Sequence, residues 1–314
     1  MKQYIYTLAV LLALGLTACN KEMDNPLADG PVALSVTADI NQVATRATAT
    51  AFENNDQIGI FPIKSDALET GQANKTYTYN GSTFTSANPY YFQDRGMVTF
   101  NAYYPYDATL TATDYTIDIN TRAEYQKSET IEGTNIEWRT NDYLYASAET
   151  NVIEPSVSYT GDNAFNHVMT QVVFVFNAGT DDSVSDLSAL GGYKIATPLV
   201  MDGSFDAVTG KVTPDADAKA EEIEMTVAGS AATELSAAPL ILVPQTVTGT
   251  IALEVTYNGQ TYKANLTAPT DGFKAGHSYT YPVTISNTGL EIGNAEINDW
   301  QPGYNFDDSE ATLQ

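Results

Sequence analysis

The chain of 314 residues has few of the side chains that carry most enzyme and metal chemistry, since it contains one cysteine and two histidines. A single cysteine excludes a disulfide bond within the chain. His167 and His277 are far apart, and neither stands in an H-E-x-x-H or similar metal-binding pattern, so we interpret both as structural residues. The sequence also lacks a G-x-S-x-G elbow and a phosphate-binding loop. We therefore predict that the protein is not an enzyme and has no catalytic residue, cofactor or metal site.

Basic residues are also scarce. Lysine and arginine together number 14 against 39 acidic residues, which gives a formal net charge of −25. A chain without a basic face cannot displace the counterions of a nucleic acid, and this excludes nucleic acid as a partner. Arg46 is the only basic residue between Lys21 and Lys64, and it follows a predicted strand. The residues alone leave two interpretations open: an arginine exposed in a loop between strands, or an arginine with a specific role.

The N-terminal part of the chain also lacks a long apolar run. A membrane-spanning helix needs about 20 apolar residues, and the first apolar run is much shorter, so we do not expect it to span a membrane. This run, LAVLLALGL at residues 8–16, follows Lys2 and is typical of a signal peptide. It leads into LTAC, which resembles the lipobox of bacterial lipoproteins, where the leader is cut before the cysteine and the cysteine is acylated. The resemblance implies a signal peptide at 1–18 and a lipid on Cys19 that anchors the protein in the outer membrane. An ordinary leader with a chance cysteine is the alternative.

The polar stretch 19–31 is rich in turn-forming residues and is predicted to be a short tether. Lys21 and Glu22 partly match the charged signal that sends some lipoproteins of the Bacteroidetes type to the cell surface. We therefore expect a lipid-anchored protein at the outer membrane or cell surface.

Helical periodicity is absent from most of the chain, and period-two alternation is frequent. In residues 32–40 every even position is apolar and every odd position is small or polar, which predicts a half-buried strand. Asn258-Gly259 joins two alternating segments and predicts a hairpin. A short helical turn is predicted at 185–192. The other predicted strands and hairpins are at 58–63, 97–104, 115–119, 142–147, 169–177, 204–213, 241–247 and 279–285.

Many short strands at this spacing predict β-sandwiches, and the chain length favours two domains. The stretch 152–165 looks rich in loops, so we place a boundary at about residue 160. The predicted organisation is an N-terminal sandwich at 32–160, a C-terminal sandwich at 161–303 and an acidic tail at 304–314.

Three stretches resemble one known family: TRATATAFENNDQIGIF from residue 45, FNHVMTQVVFVF from 165, and the closing segment that ends in INDW at residue 300. Their order resembles that of the fimbrillin family, the Mfa-like branch of surface lipoproteins and pilus subunits. The resemblance implies two transthyretin-like β-sandwich domains in tandem and a role in pilus formation or adhesion. Its implied partners are other pilus subunits and a host protein or glycan.

The resemblance also gives Arg46 a role, because an arginine-specific protease cuts fimbrillins after an arginine downstream of the first strand. The matching bond here is Arg46–Ala47. Cutting it would remove the lipid anchor together with the first strand and its apolar side chains Val32, Leu34, Val36 and Ile40. A strand that buries about four such side chains contributes roughly 5–10 kcal/mol, so its groove would attract a strand from another subunit. Processing would then place the protein in the fimbrium.

The acidic tail is a poor candidate for a strand donated to the next subunit. Asp307, Asp308 and Glu310 interrupt its weak alternation, and carboxylates entering an apolar groove lose much of the gain. The tail therefore favours a tip or accessory subunit over a stalk subunit.

Two alternatives from other classes stay open. The first is a monomeric glycan-binding surface lipoprotein that keeps its lipid, in which aromatic side chains stack on sugars; such residues more often pack a core. The second is a glycosidase with two carboxylates in a cleft. The acidic loop 214–222 has no calcium-ligand spacing. The aromatic candidates are Tyr90, Tyr91, Phe92, Tyr103, Tyr104 and Tyr106.

Overall fold

The computed structural model describes residues 27, 30–40, 51–126, 128–131, 134–139, 141–179, 184–286 and 289–300, with the backbone alone at 128–139 and 299. Most of these residues lie in β-strands, so the predicted all-β sandwich fold is confirmed. The helical turn predicted at 185–192 is wrong: Leu187 forms a β-bridge with Ser230, and a strand begins at Leu190. In the part of the chain that the structure describes, no helix is long and apolar enough to span a membrane.

Twelve of the strands that the structure describes lie before residue 168, in the part of the chain that we call the first half. They are β1 (Ser35–Ala38), β2 (Gln57–Lys64), β3 (Ala67–Leu68), β4 (Lys75–Tyr79), β5 (Phe84–Thr85), β6 (Val98–Tyr104), β7 (Thr116–Asn120), β8 (Ser128–Ile131), β9 (Thr134–Arg139), β10 (Leu144–Thr150), β11 (Ser156–Tyr159) and β12 (Asn166–His167). Nine of them form one sheet in the order β11-β1-β5-β4-β2-β6-β10-β12, with β3 paired to β2. Because side chains from most of these strands face one core, the sheet wraps around it.

The second half holds twelve further strands. They are β13 (Thr170–Ala178), β14 (Leu190–Leu199), β15 (Asp202–Asp206), β16 (Lys211–Pro214), β17 (Glu221–Thr226), β18 (Glu234–Ser236), β19 (Leu240–Leu242), β20 (Thr250–Tyr257), β21 (Gln260–Thr267), β22 (His277–Ser286), β23 (Gly289–Ile292) and β24 (Glu296–Asp299). The sheet built on β13 and β22 packs against the sheet β17-β14-β20-β21 around a second core. The hairpin predicted at Asn258-Gly259 is confirmed, since both residues have the positive φ, 49° and 70°, that a type I′ turn requires.

The two halves are joined by shared structure. Strand β7 of the first half pairs with β15 of the second, and a third core contains side chains from both. Arg122 of the first half also forms salt bridges to the second half. Its guanidinium donates to the carboxylate of Asp202 at 2.5 and 2.7 Å and to that of Glu221 at 2.7 Å. The first core extends to Phe165 and the second begins at Val172. The domain boundary near residue 160 stays a prediction.

Gly59 of β2 is required by close packing at this junction. A Cβ at this position would lie 2.1 Å from the ring of Tyr103, which is fully buried and whose hydroxyl lies 2.8 Å from the Asn74 side-chain oxygen. We expect Gly59→Ala to lower the free energy of unfolding by about 1–3 kcal/mol, because the ring has no space to move. Urea denaturation measures the loss. Gly71→Ala is the control, since nothing lies within 4 Å of a Cβ there, and equal midpoints for the two variants would contradict the packing argument.

Candidate functional site

The first strand is an interior strand of its sheet. β1 runs parallel to β11 over four residue pairs and antiparallel to β5 at one pair. Backbone hydrogen bonds extend the pairing beyond the strand at both ends, and the hydroxyl of Thr83 donates to the carbonyl of Val36 at 2.8 Å. On one side, Leu34 N–H donates to the Tyr90 carbonyl and Phe92 N–H donates to the Val32 carbonyl. On the other side, Ser35 N–H donates to the Pro155 carbonyl, Asp39 N–H to the Tyr159 carbonyl and Phe165 N–H to the Asp39 carbonyl. All five distances are 2.9–3.0 Å. Removing β1 would therefore expose polar backbone groups along two edges.

The even-numbered side chains of this segment point to the core. Leu34, Val36 and Ile40 are 4, 0 and 6% exposed, and Val32 and Ala38 pack against the same core while partly buried. At 1.5–3 kcal/mol for each fully buried side chain, the three contribute roughly 5–9 kcal/mol. This value lies within the sequence-based expectation, although Val32 contributes less than the others because it is only partly buried.

The parallel partner of β1 was not predicted. β11 lies in the stretch 152–165 that looked rich in loops, and its burial alternates, with Val157 and Tyr159 buried and Ser156 and Ser158 exposed. Four residues with two serines give a weak periodic signal. The segment SVSY nevertheless carried the one available hint, since its alternation is regular.

The chain that follows the predicted cleavage site is fixed by a tight turn. Phe52 is 7% exposed and belongs to the first core. The Asp56 carboxylate accepts a hydrogen bond from the Glu53 N–H at 2.8 Å. Asn55 N–H donates to the Tyr79 carbonyl at 2.9 Å, and Tyr79 N–H donates to the Asp56 carbonyl at 2.8 Å. From Phe52 onward the chain is therefore held by contacts that do not involve β1.

Asp56 is a buried acid, 5% exposed. Burial raises the pKa of its carboxyl to about 7, against the opposing effect of the hydrogen bond from Glu53 N–H, and the nearby charge of Glu53 raises it further. Burial also raises the pKa of the neighbouring Tyr104 hydroxyl, as do the charges of Asp56, Asp142 and Glu53. The turn after the predicted cleavage site thus contains a carboxyl that is costly to ionise.

Cys19, Arg46 and Ala47 lie outside the described residues. The described chain stops at Ile40 and resumes at Ala51. Ile40 forms a β-bridge with Phe165, and the ring of Phe52 lies 5.4 Å from the ring of Phe165. Both ends of the connection that contains Arg46 therefore lie beside the same residue.

The two histidines have structural partners. His167 is 6% exposed, its Nδ1 lies 2.6 Å from a carboxylate oxygen of Asp142, and its ring stacks on Trp300 with centroids 4.0 Å apart. Nδ1 of His277 lies 2.9 Å from the Ala275 carbonyl oxygen. Within the described ranges no three His, Cys, Asp or Glu side chains are grouped so that they could hold a metal ion.

Most of the aromatic candidates for sugar stacking lie in the interior. Tyr90, Phe92, Tyr103 and Tyr104 are at most 7% exposed, and Tyr91 is the exposed exception at 38%. The Tyr90 hydroxyl donates to Glu69 at 2.7 Å, and its ring packs edge-on against Phe92 and Phe100. The buried rings build the core, whereas Tyr91 and the half-buried Tyr106 keep part of their surface in contact with solvent.

Comparison with known proteins gives a consistent set of relatives. Residues 45–300 match the family model described as fimbrillin-like. A Bacteroides uniformis protein named as a fimbrium subunit, Fim1C, is 28% identical over 96% of this chain and 97% of that protein. A Bacteroides ovatus protein named as a fimbrium tip subunit, Fim1C, is 34% identical over 35% of this chain and 23% of its own length. A crystal structure of a protein described as a cell adhesion protein of Bacteroides ovatus covers 88% of this chain and 100% of that chain, with 26% identity and a TM-score of 0.70.

Proposed function

This chain belongs to the fimbrillin-like family, and from that premise we propose that it is a fimbrium subunit activated by cleavage of the Arg46–Ala47 bond. In this proposal the protein is exported as a lipoprotein acylated on Cys19 and is held at the outer membrane. Cleavage separates the anchor and β1 from the rest of the chain, and the groove then accepts a strand of another subunit.

The observation that carries the proposal is the position of β1 inside its sheet. In the sheet that the structure describes, β11 and β5 each pair with β1 and not with each other, so the departure of β1 opens a slot between two strands. Leu34, Val36 and Ile40 fill the floor of this slot. An empty slot exposes both apolar surface and unpaired backbone, and a strand from another chain satisfies both at once. After cleavage only noncovalent contacts would hold β1 in place.

A tip or accessory position fits the chain better than a stalk position. The tail 304–314, which lies outside the described residues, carries Asp307, Asp308 and Glu310 where a donor strand needs apolar side chains. A tip subunit needs an acceptor groove and no donor strand. The partial match to a relative named as a tip subunit supports the same assignment.

The test is an Arg46→Lys substitution in the bacterium that makes the protein. Lysine keeps the positive charge and is a poor substrate for an arginine-specific protease. We expect the wild-type protein to begin at Ala47 by intact mass and to enter high-mass ladders on unboiled gels. The variant should keep the lipid on Cys19 and enter the ladders at least tenfold less.

Arg95→Lys is the matched control, because Arg95 is an exposed arginine in a loop and lies far in sequence from the proposed cleavage bond. It should be processed and assembled like the wild type. If Arg46→Lys were processed and assembled normally, cleavage after Arg46 would be ruled out as the trigger. If the wild-type protein kept its lipid and stayed monomeric, the monomeric surface lipoprotein would replace the fimbrium subunit as the function.

A further inference from the structure

We infer that Phe52 sets the size of one subsite in the groove of β1, so that an incoming strand must carry a small residue there, between two larger apolar residues. The inference rests on the proposed strand exchange and specifies which strands the groove accepts. It assigns the selectivity to a residue that stays with the acceptor after cleavage at Arg46–Ala47.

The core-facing row of β1 has an uneven pattern of side-chain size. Val36 lies opposite Phe84 of β5, and Ile40 is bridged to Phe165. Ala38 stands between them on the same side of the strand, because side chains two residues apart share a face. The smallest side chain of the row therefore lies midway between two aromatic neighbours.

Phe52 spans the distance between those two neighbours. The centroid of its ring lies 5.0 Å from that of Phe84 and 5.4 Å from that of Phe165, and it meets both edge-on at 90° and 83°. A ring that contacts both lies across the intervening position, which is that of Ala38. On the other side Ala38 is paired with Tyr159, which is fully buried. A larger side chain at Ala38 would therefore extend towards these rings.

The end of the neighbouring hairpin explains why this space is filled by Phe52 and not by a strand. Among the described residues β5 pairs with β1 at one position, Phe84, and the chain turns at 80–83 just before it. A Cβ at Gly81 in this turn would lie 3.2 Å from the side chain of Asn54, so the segment after Phe52 crosses the end of the hairpin. Phe52 enters the core beyond Phe84, the first residue of β5.

Phe52 remains in place when β1 leaves, because the turn 53–56 and its two hydrogen bonds to Tyr79 hold it independently of β1. The subsite is consequently a property of the cleaved acceptor. Ala38 is partly buried against this core, and a leucine side chain in its place would extend towards neighbouring rings that must move to accept it, which weakens binding by roughly tenfold or more. Residues of larger size are accepted at the flanking subsites of Val36 and Ile40.

The test uses the full chain with a specific protease site in place of residues 44–48, cut in vitro. Exchange of β1 is followed with fluorescent peptides of residues 31–42. The peptide with Ala38→Leu should bind at least tenfold more weakly than the parent peptide. The peptide with Ala33→Leu is the control and should bind within about twofold of the parent, because Ala33 is exposed. An acceptor with Phe52→Ala, or with Phe52→Leu if that variant does not fold, should lose most of the discrimination against Ala38→Leu.

Two failures are distinguishable. If the parent peptide does not exchange into the cut chain, strand exchange itself is wrong and the inference falls with it. If the parent peptide exchanges but Ala38→Leu binds equally well, or if Phe52→Ala leaves the discrimination unchanged, the proposed function survives and the role of Phe52 is refuted. In the uncut chain, Ala38→Leu should destabilise the wild type more than it destabilises the Phe52→Ala variant.

Discussion

Val36→Asp is expected to unfold the first half of the uncut chain at neutral pH, whereas Thr37→Asp should change its stability by less than about 1 kcal/mol. Val36 is 0% exposed and lies between Phe84 of β5 and Val157 of β11, both buried. An ionised carboxylate at this position would lie among the apolar side chains of the first core and costs several kcal/mol, in addition to the lost apolar burial. A domain has only about 5–15 kcal/mol of total stability, so the loss is comparable to the whole. Thr37 points the other way, and its hydroxyl donates to the exposed Ser158 hydroxyl at 3.3 Å.

Urea denaturation followed by near-ultraviolet circular dichroism measures this difference, since tyrosine is abundant in the first core. A second arm links the result to strand exchange. If the substituted strand is cut off and replaced by the unsubstituted peptide of residues 31–42, the chain should reach the midpoint of the cut wild-type chain at the same peptide concentration, because the aspartate leaves with the strand. Equal midpoints for Val36→Asp and Thr37→Asp would show that β1 contributes little to the fold.

The sequence predicts the elements whose alternation is long and regular, and misses those whose position is fixed by a distant partner. Residues 32–40 and the hairpin at Asn258-Gly259 belong to the first class, since one burial period and one turn type suffice to define them. β11 belongs to the second, because four residues carry little periodicity and its strand partner lies over a hundred residues away in sequence. The pairing of β7 with β15 across the two halves is equally non-local.

The sequence predicts which residues of β1 are buried, but it does not predict which residues of other segments line the groove of β1. Burial of Leu34, Val36 and Ile40 follows from alternation alone. The core position of Phe52 does not, because Phe52 stands outside any strand and is placed by a turn and by rings from two distant segments. Alternation also separates the aromatic run 90–92: Tyr90 and Phe92 share a parity and are buried, while Tyr91 is exposed. The same period favours core packing for Tyr90 and Phe92 over sugar stacking.

Asp56→Asn is expected to raise the free energy of unfolding at pH 8 and to leave it unchanged near pH 4. An unperturbed aspartate has a pKa of 3.8. In the folded protein the pKa of Asp56 is raised to about 7, because burial disfavours the charged carboxylate. The folded protein therefore binds the proton more tightly than the unfolded chain between these two values. The contribution of Asp56 to the free energy of unfolding is therefore greatest in acid, falls as the pH rises from about 4 to about 7, and is constant at higher pH.

The size of the effect follows from the same shift. About three pKa units at 1.36 kcal/mol each give a gain of up to about 4 kcal/mol at pH 8, when the neutral amide replaces an ionised carboxylate. The asparagine side-chain oxygen can still accept the hydrogen bond from the Glu53 N–H, so the turn that carries Phe52 is kept. Urea midpoints at pH 4, 6 and 8 measure the gain, and taking the difference from wild type cancels the titration of all other groups.

Asp94→Asn is the control, because the pKa of Asp94 is shifted in the opposite direction from that of Asp56. Asp94 is exposed, and its hydrogen bond to the Lys64 ammonium, at 2.5 Å, holds its pKa below the usual range of an aspartate. A lowered folded pKa gives stability that is present at neutral pH and lost in acid, so Asp94→Asn should be neutral or slightly destabilising at pH 8. If Asp56→Asn behaved like Asp94→Asn, or if its effect did not change between pH 4 and 8, the carboxyl of Asp56 would not be buried in the folded protein. The turn that positions Phe52 would then be looser than its hydrogen bonds indicate, and the size limit at Ala38 would weaken with it.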